Sequence, residues 1–191
     1  MATQVRGAAR RAQLLDELVA LLLAEGFAHL TLDEIATRLR CSKSTLYSLA
    51  ASKEQLVRTA TVHFFKAATE RVERALDGEA GANDRIRAYL EAVGAQLRPA
   101  SARFMADLAA SEVARAVYER NTAIAARRVQ DLITEGVAAG EYRDAHAAFV
   151  ADVTTATMVR IQRRQVADAT GLDDAQAYQE LASLVTNGLL R

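Results

Sequence analysis

One proline, Pro99, stands in a chain of 191 residues, and only nine glycines accompany it. Proline and glycine are the residues that most disfavour a helix interior, while Ala, Leu, Arg and Glu, all abundant here, favour it. The chain is therefore predicted to be helical almost throughout. No strand-like alternation, internal repeat or low-complexity tract competes with that reading. Hydrophobic residues make up 51% and charged residues 25%, a balance that excludes disordered and membrane classes. The most apolar run, 18–24, is short and flanked by Glu17 and Glu25, far from the ~18 apolar residues that span a bilayer. No secretory segment is found at the start. The lone cysteine, Cys41, allows no intramolecular disulfide, so a cytoplasmic location is expected. With no second cysteine to resolve it, Cys41 reads as a small apolar packing residue.

The apolar spacing divides the chain into about nine helices. The first covers about 10–25, with Leu14, Leu15, Leu18, Val19 and Leu22 on one face. Gly26 ends it, and Phe27 is placed to fold back on Leu22. Thr31 and Glu34 form a capping-box pattern that opens a short second helix to about Leu39. Ser42 is a good N-cap for a third helix through Tyr47. Ser52 and Gln55 repeat the capping pattern for a long fourth helix, to about Glu79. A loop over 78–83 follows, then helices at about 83–97, 101–110, 111–139, 144–170 and 173–190, punctuated by Pro99, Gly140 and Gly171. The division between domains is expected within the fourth helix, giving residues 1–55 and 56–191.

The segment 31–56 carries the functional signal: TLDEIATRLRCSKSTLYSLAASKEQL. Two short helices are separated by about three residues. Ile35, Ala36, Leu39, Cys41 and Leu46 supply the apolar contacts, with the small Ala36 where the helices must cross closely and Leu46 as the plug between them. That is the packing logic of a helix-turn-helix, whose second helix enters the major groove of DNA. The chain has no net charge, yet 38–58 holds five basic residues to one acid. A local basic patch on a neutral protein fits a confined DNA-binding surface.

This segment resembles the DNA-binding region of TetR-family regulators. The matching residues are Gly26-Phe27, Thr31, Ile35-Ala36, Ser42-Lys43, Thr45-Leu46-Tyr47, Ser52-Lys53-Glu54 and Leu56. Two features depart from the family pattern: Arg40 stands where a turn glycine is usual, and Ser48-Leu49-Ala50 replaces an aromatic stretch. Arg40 implies backbone strain or a different turn.

The resemblance implies an all-α fold: an N-terminal three-helix helix-turn-helix domain joined through a long fourth helix to a helical ligand-binding and dimerisation domain. It implies a regulator, by family default a repressor, that a small-molecule effector releases from a palindromic, double-stranded operator. Lys43, Ser44 and Thr45 lie at the end of the third helix that reaches base edges. The resemblance assigns phosphate contacts to Tyr47 and Lys53, and Ser42 and Thr31 cap helix N-termini that also suit a phosphate. Arg6, Arg10 and Arg11 form a basic arm able to touch the backbone or minor groove. An effector pocket is expected among Phe64, Tyr89, Phe104, Met105 and Tyr118. The last two helices are expected to form a homodimer interface through Ala147, Ala148, Ala151 and Thr155 on one and Leu181, Leu184, Val185 and Leu189 on the other.

An enzyme reading finds no support. His29, His63 and His146 are isolated, and no metal-spaced cluster, phosphate loop or nucleophile elbow occurs, so no catalytic residue, metal or cofactor is assigned. The alternative is a helical dimeric ligand-binding protein with vestigial DNA binding. The discriminating feature is whether Lys43, Thr45 and Tyr47 project together on an exposed face.

Overall fold

The computed structural model describes residues 2–190, with side chains from Ala9 onward. Ten helices follow one another among them: α1 (Ala2–Glu25), α2 (Leu32–Arg38), α3 (Lys43–Tyr47), α4 (Lys53–Arg74), α5 (Ala82–Leu97), α6 (Ala102–Ala110), α7 (Glu112–Ala138), α8 (Ala147–Gln162), α9 (Gln165–Thr170) and α10 (Asp174–Leu189). No strand forms among the described residues. No helix is long and apolar enough to cross a membrane among them. The chain makes two compact units, Met1–Ala67 with Pro99–Tyr118, and Ala68–Arg98 with Glu119–Arg191.

The first unit is built on the apolar stripes of four helices. Leu18, Leu22, Ile35, Leu46 and Leu56 are almost wholly withdrawn from solvent, each contributing roughly 2 kcal/mol by its burial. Helix α6 returns to this unit and packs on α1. The amide of Ser101 donates to the Leu23 carbonyl at 2.8 Å, and Phe104 meets Phe27 edge-on with ring centroids 6.0 Å apart. Ser101 caps α6 by accepting from the Phe104 amide.

In the second unit α10 packs along α5 and against α8. Leu90, Ile133, Tyr142 and Tyr178 form its centre. No side chain of its own first turn caps α5. Gly81 is the N-cap, and Glu141 accepts the Ala82 amide at 2.7 Å, a partner 59 residues away that no local pattern reveals. Helix α4 ends earlier than its spacing suggests. Its last turn tightens into three-residue hydrogen bonds from Leu76 and Asp77, leading to Gly78 at φ 90°.

The predicted helix over 144–170 is two helices, which is why ten are found rather than nine. The break falls at Arg163-Arg164, where Arg164 takes a left-handed φ of 63° and pairs with Asp174 at 3.3 Å. Before α8, residues 140–146 form a connection that is largely exposed but anchored by one buried side chain. Tyr142 is fully enclosed and bridges to Leu190. Arg143 donates from its amide to the Leu189 carbonyl and from Nε to that of Gly188, satisfying carbonyls at the end of α10.

Gly136 makes this connection fit. A Cβ placed there runs into Tyr142 Cδ2 and lies 2.8 Å from Ala82 Cβ. Gly136→Ala is expected to lose about 3 kcal/mol through overpacking, read as a lower urea midpoint at unchanged slope. Parental stability in that variant would show that the ring is free to move aside.

Candidate nucleic-acid interface

The helix-turn-helix is fixed at both ends of each short helix. Thr31 Oγ1 accepts the Glu34 amide at 3.2 Å, while Glu34 Oε2 accepts the Thr31 amide at 2.7 Å, so the capping box is complete. Those bonds from Thr31 hold the Glu34 carboxyl below its ordinary pKa. Helix α2 ends in a Schellman motif: the Arg40 amide donates to the Thr37 carbonyl at 3.1 Å and the Cys41 amide to that of Ala36 at 2.9 Å. The residue at the turn of this motif must be left-handed, and Arg40 complies with φ 49°. For a side chain other than glycine that conformation costs roughly 1–2 kcal/mol. Of the two outcomes the sequence left open at Arg40, the structure takes the strained one and keeps the turn. Cys41 is half-buried, and its removal from water pushes the thiol pKa up.

Ser42 caps α3, accepting the Thr45 amide at 3.2 Å. Its hydroxyl also lies 2.7 Å from that of Ser44 and 2.8 Å from that of Thr45. Leu46 is buried between the helices, as are Ile35 and Ala36. In the stretch after Tyr47, Leu49 is buried, and Ser48 Oγ donates to the Thr45 carbonyl at 2.7 Å.

With its inner face so occupied, α3 presents Lys43, Ser44 and Tyr47 to solvent, while Thr45 is half-buried. Tyr47 is 51% exposed and takes no part in the core. Lys43 and Tyr47 stand one turn apart and share a face. Lys43 Nζ contacts Asp33 Oδ1 at 2.7 Å, and that bond holds its proton more firmly than usual.

Lys53 is placed differently from a free surface lysine. Its Nζ donates to the Ala28 carbonyl at 2.8 Å, tying the start of α4 to the connection between α1 and α2. Asp107 of α6 holds the same connection: its Oδ2 accepts the amides of Phe27 at 2.6 Å and Ala28 at 2.8 Å. Asp107 went unrecognised in the sequence because nothing local marks a carboxylate that caps a loop 79 and 80 residues away. Arg38 pairs with Glu25 at 3.1 Å. Arg10 and Arg11 are exposed, and the side chain of Arg6 lies outside the described residues.

The residues expected to line an effector pocket divide between the units. Phe64, Phe104 and Tyr118 are buried in the first, where Tyr118 stacks at a tilt on Phe65. Met105 is half-buried on α6. Tyr89 is buried in the second unit. Burial there, with the Glu73 carboxylate nearby, pushes its hydroxyl pKa well up.

Residues 14–60 match the profile of a family described as bacterial regulatory proteins, tetR family. The whole fold is similar to that of solved structures at low identity. One, described as a transcriptional regulator from Saccharomonospora viridis in complex with choline, is 17% identical with a TM-score of 0.80, over 96% of this chain and 99% of that one. A regulator of the TetR/AcrR family from Thermobifida fusca is 21% identical with a TM-score of 0.70, over 96% and 100%. The fatty acid degradation regulator FadR from Bacillus halodurans is 14% identical with a TM-score of 0.72, over 93% and 98%. No curated relative matches the sequence.

Proposed function

Residues 14–60 being an amino-terminal segment of the tetR family of bacterial regulatory proteins, we propose that this protein is a cytoplasmic transcriptional regulator that binds operator DNA as a homodimer and leaves it when a small-molecule effector binds. The observation that carries the reading is α3. It is a short helix braced from behind by Leu46, with Lys43 and Tyr47 exposed together on its outer face. A helix held in that way can enter a major groove without unfolding its support. Lys43 and Ser44 supply hydrogen-bond donors for base edges, Thr45 a hydroxyl and a methyl, and Tyr47 a hydroxyl for a phosphate. Thr31 and Ser42 place helix N-termini where backbone amides favour the same anion.

For DNA to reach Lys43, its ion pair with Asp33 must open or be shared. Exposed pairs of this kind contribute little to stability, so the exchange is accessible.

The second unit offers the surface for pairing two chains. Ala151, Leu181, Val185 and Leu189, expected at that interface, are buried in the unit's own core. On α8 and α10 the large apolar residues that face outward are Phe149, Val153 and Leu184. They border a groove of about 440 Å³ between α8 and α10. Large apolar side chains gathered on one face mark an association surface, and two-fold pairing through it gives a palindromic operator with half-sites ~34–36 Å apart. Repression with effector release requires that the effector bind the DNA-incompetent arrangement more tightly.

Fluorescence anisotropy against the DNA upstream of its own gene, with random duplex in parallel, tests the reading. Tight, salt-sensitive binding that drops about tenfold in Tyr47→Ala is the expected outcome. The second reading, a dimeric ligand-binding protein with vestigial DNA binding, draws on the internal engagement of Lys43 and Lys53. It prevails if selection from random sequences also yields no preferred duplex.

A further inference from the structure

Of the basic side chains from 38 to 53, three are already engaged: Arg38 with Glu25, Lys43 with Asp33 and Lys53 with a backbone carbonyl. Arg40 is not. Its side chain is exposed, and among the described residues no carboxylate stands within ion-pair distance of it. It holds a left-handed backbone that glycine would adopt without strain. The other left-handed residue that is not glycine, Arg164, directs its guanidinium to Asp174. Among the described residues, Arg40 therefore carries the strain with no ion-pair partner for its charge.

Arg40 borders a groove of about 530 Å³ between α1 and the turn, lined also by Arg10, Gln13, Glu17, Cys41 and Thr45 among others. Thr45 belongs to α3, so the groove adjoins the face proposed to meet DNA. Arg10 is also exposed and has no ion pair among the described residues. Glu17 is the acid in the lining, and its Oε1 accepts from Gln13 Nε2 at 3.0 Å. Two cations against one carboxylate leave the groove positive, at a spot where an anion running alongside α3 would pass.

We propose that Arg40, with Arg10 on the opposite wall, binds the DNA phosphate backbone beside the recognition helix. The proposal rests on the reading of α3 as a DNA-contacting helix and adds to it a second, sequence-independent clamp. A planar guanidinium that no internal carboxylate has claimed suits a phosphate, which it can meet through two parallel donors.

Arg40→Gly tests it with two readouts of opposite sign. Glycine relieves the turn, so the variant is expected to melt above the parent, while affinity for operator falls about 3- to 10-fold near physiological salt. Each lost phosphate contact lowers the salt slope by ~0.9, and a dimer loses two, so the slope of log K against log salt should become shallower by about 1.8. Random duplex should weaken in the same proportion, because phosphate contacts carry no sequence information. Arg40→Lys keeps the charge and the slope, and Arg10→Gln repeats the slope change.

An unchanged slope in Arg40→Gly, with Tyr47→Ala still weakened, overturns the clamp and leaves the operator reading intact. Loss confined to operator, at constant slope, overturns it in favour of a base contact. A parent protein with no salt-dependent affinity for any duplex overturns both.

Discussion

A Leu184→Glu chain runs as a monomer and binds operator DNA about 100-fold or more weakly than its parent. Leu184 is 73% exposed and Phe149 66%, so neither stabilises its own unit much, and a carboxylate at 184 should leave the melting temperature nearly unchanged. In a two-fold interface the substitution occurs twice on one self-complementary patch. Each copy then has to lose hydration without a partner charge, a penalty of several kcal/mol per ion. The effect on DNA follows from linkage: with two reading heads joined, the second half-site is bound at high effective concentration, an advantage of 10²–10⁴. Sedimentation velocity gives the mass and anisotropy the affinity. Phe149→Glu should act in the same direction, and a Leu184→Glu protein that stays dimeric with full operator affinity would move the interface away from α8 and α10.

Much of this architecture is written in local patterns. Helix caps at Thr31, Ser42, Ser101 and Asp173 bond as their spacing indicates, because a cap and its target lie three residues apart and need no tertiary information. Leu46 and Ala36 were legible for a related reason: a tight crossing of two short helices admits few residue types. What escaped is non-local. Asp107 and Glu141 cap backbone amides far away in sequence. Tyr142 is enclosed although its neighbours in the chain are Glu141 and Arg143. The break at Arg164 has no glycine or proline to announce it, and the Asp174 pair that accompanies it lies on the following helix.

The interface face shows a third kind of difficulty. On α10, Leu181, Leu184, Val185 and Leu189 form one apolar stripe by spacing alone. Only packing against α5 and α8 decides which of them the unit consumes, and Leu184 is left outside. The sites on α3 divide in the same way. Exposure of Lys43 and Tyr47 followed from the position of Leu46, whereas the engagement of Lys53 with Ala28 depends on where the preceding connection passes.

That connection is where a single side chain is expected to matter most. Asp107→Ala should lower stability by about 3 kcal/mol, a drop in melting temperature of roughly 6–12 °C for a chain of this size. One carboxylate oxygen accepts both the Phe27 and Ala28 amides, and hydrogen bonds to a charged group contribute about 1.5–3 kcal/mol each when they cannot be replaced. Asp107→Asn retains an oxygen there without the charge and should lose about half as much. Operator affinity should fall alongside, because the carbonyl that Lys53 grips belongs to the same Ala28, and a loosened connection lets α2 and α4 drift from α3's support. Gly26→Ala is the partner test. Its added Cβ would sit 2.6 Å from Asp107 Oδ2 and 2.6 Å from Arg103 Cγ, on a backbone at φ 78°. Truncating Asp107 removes one of those two clashes, so the double variant should lose less than the sum of the single ones. Strict additivity would mean that Asp107 does not hold the Gly26 corner, and that the two amides find water instead.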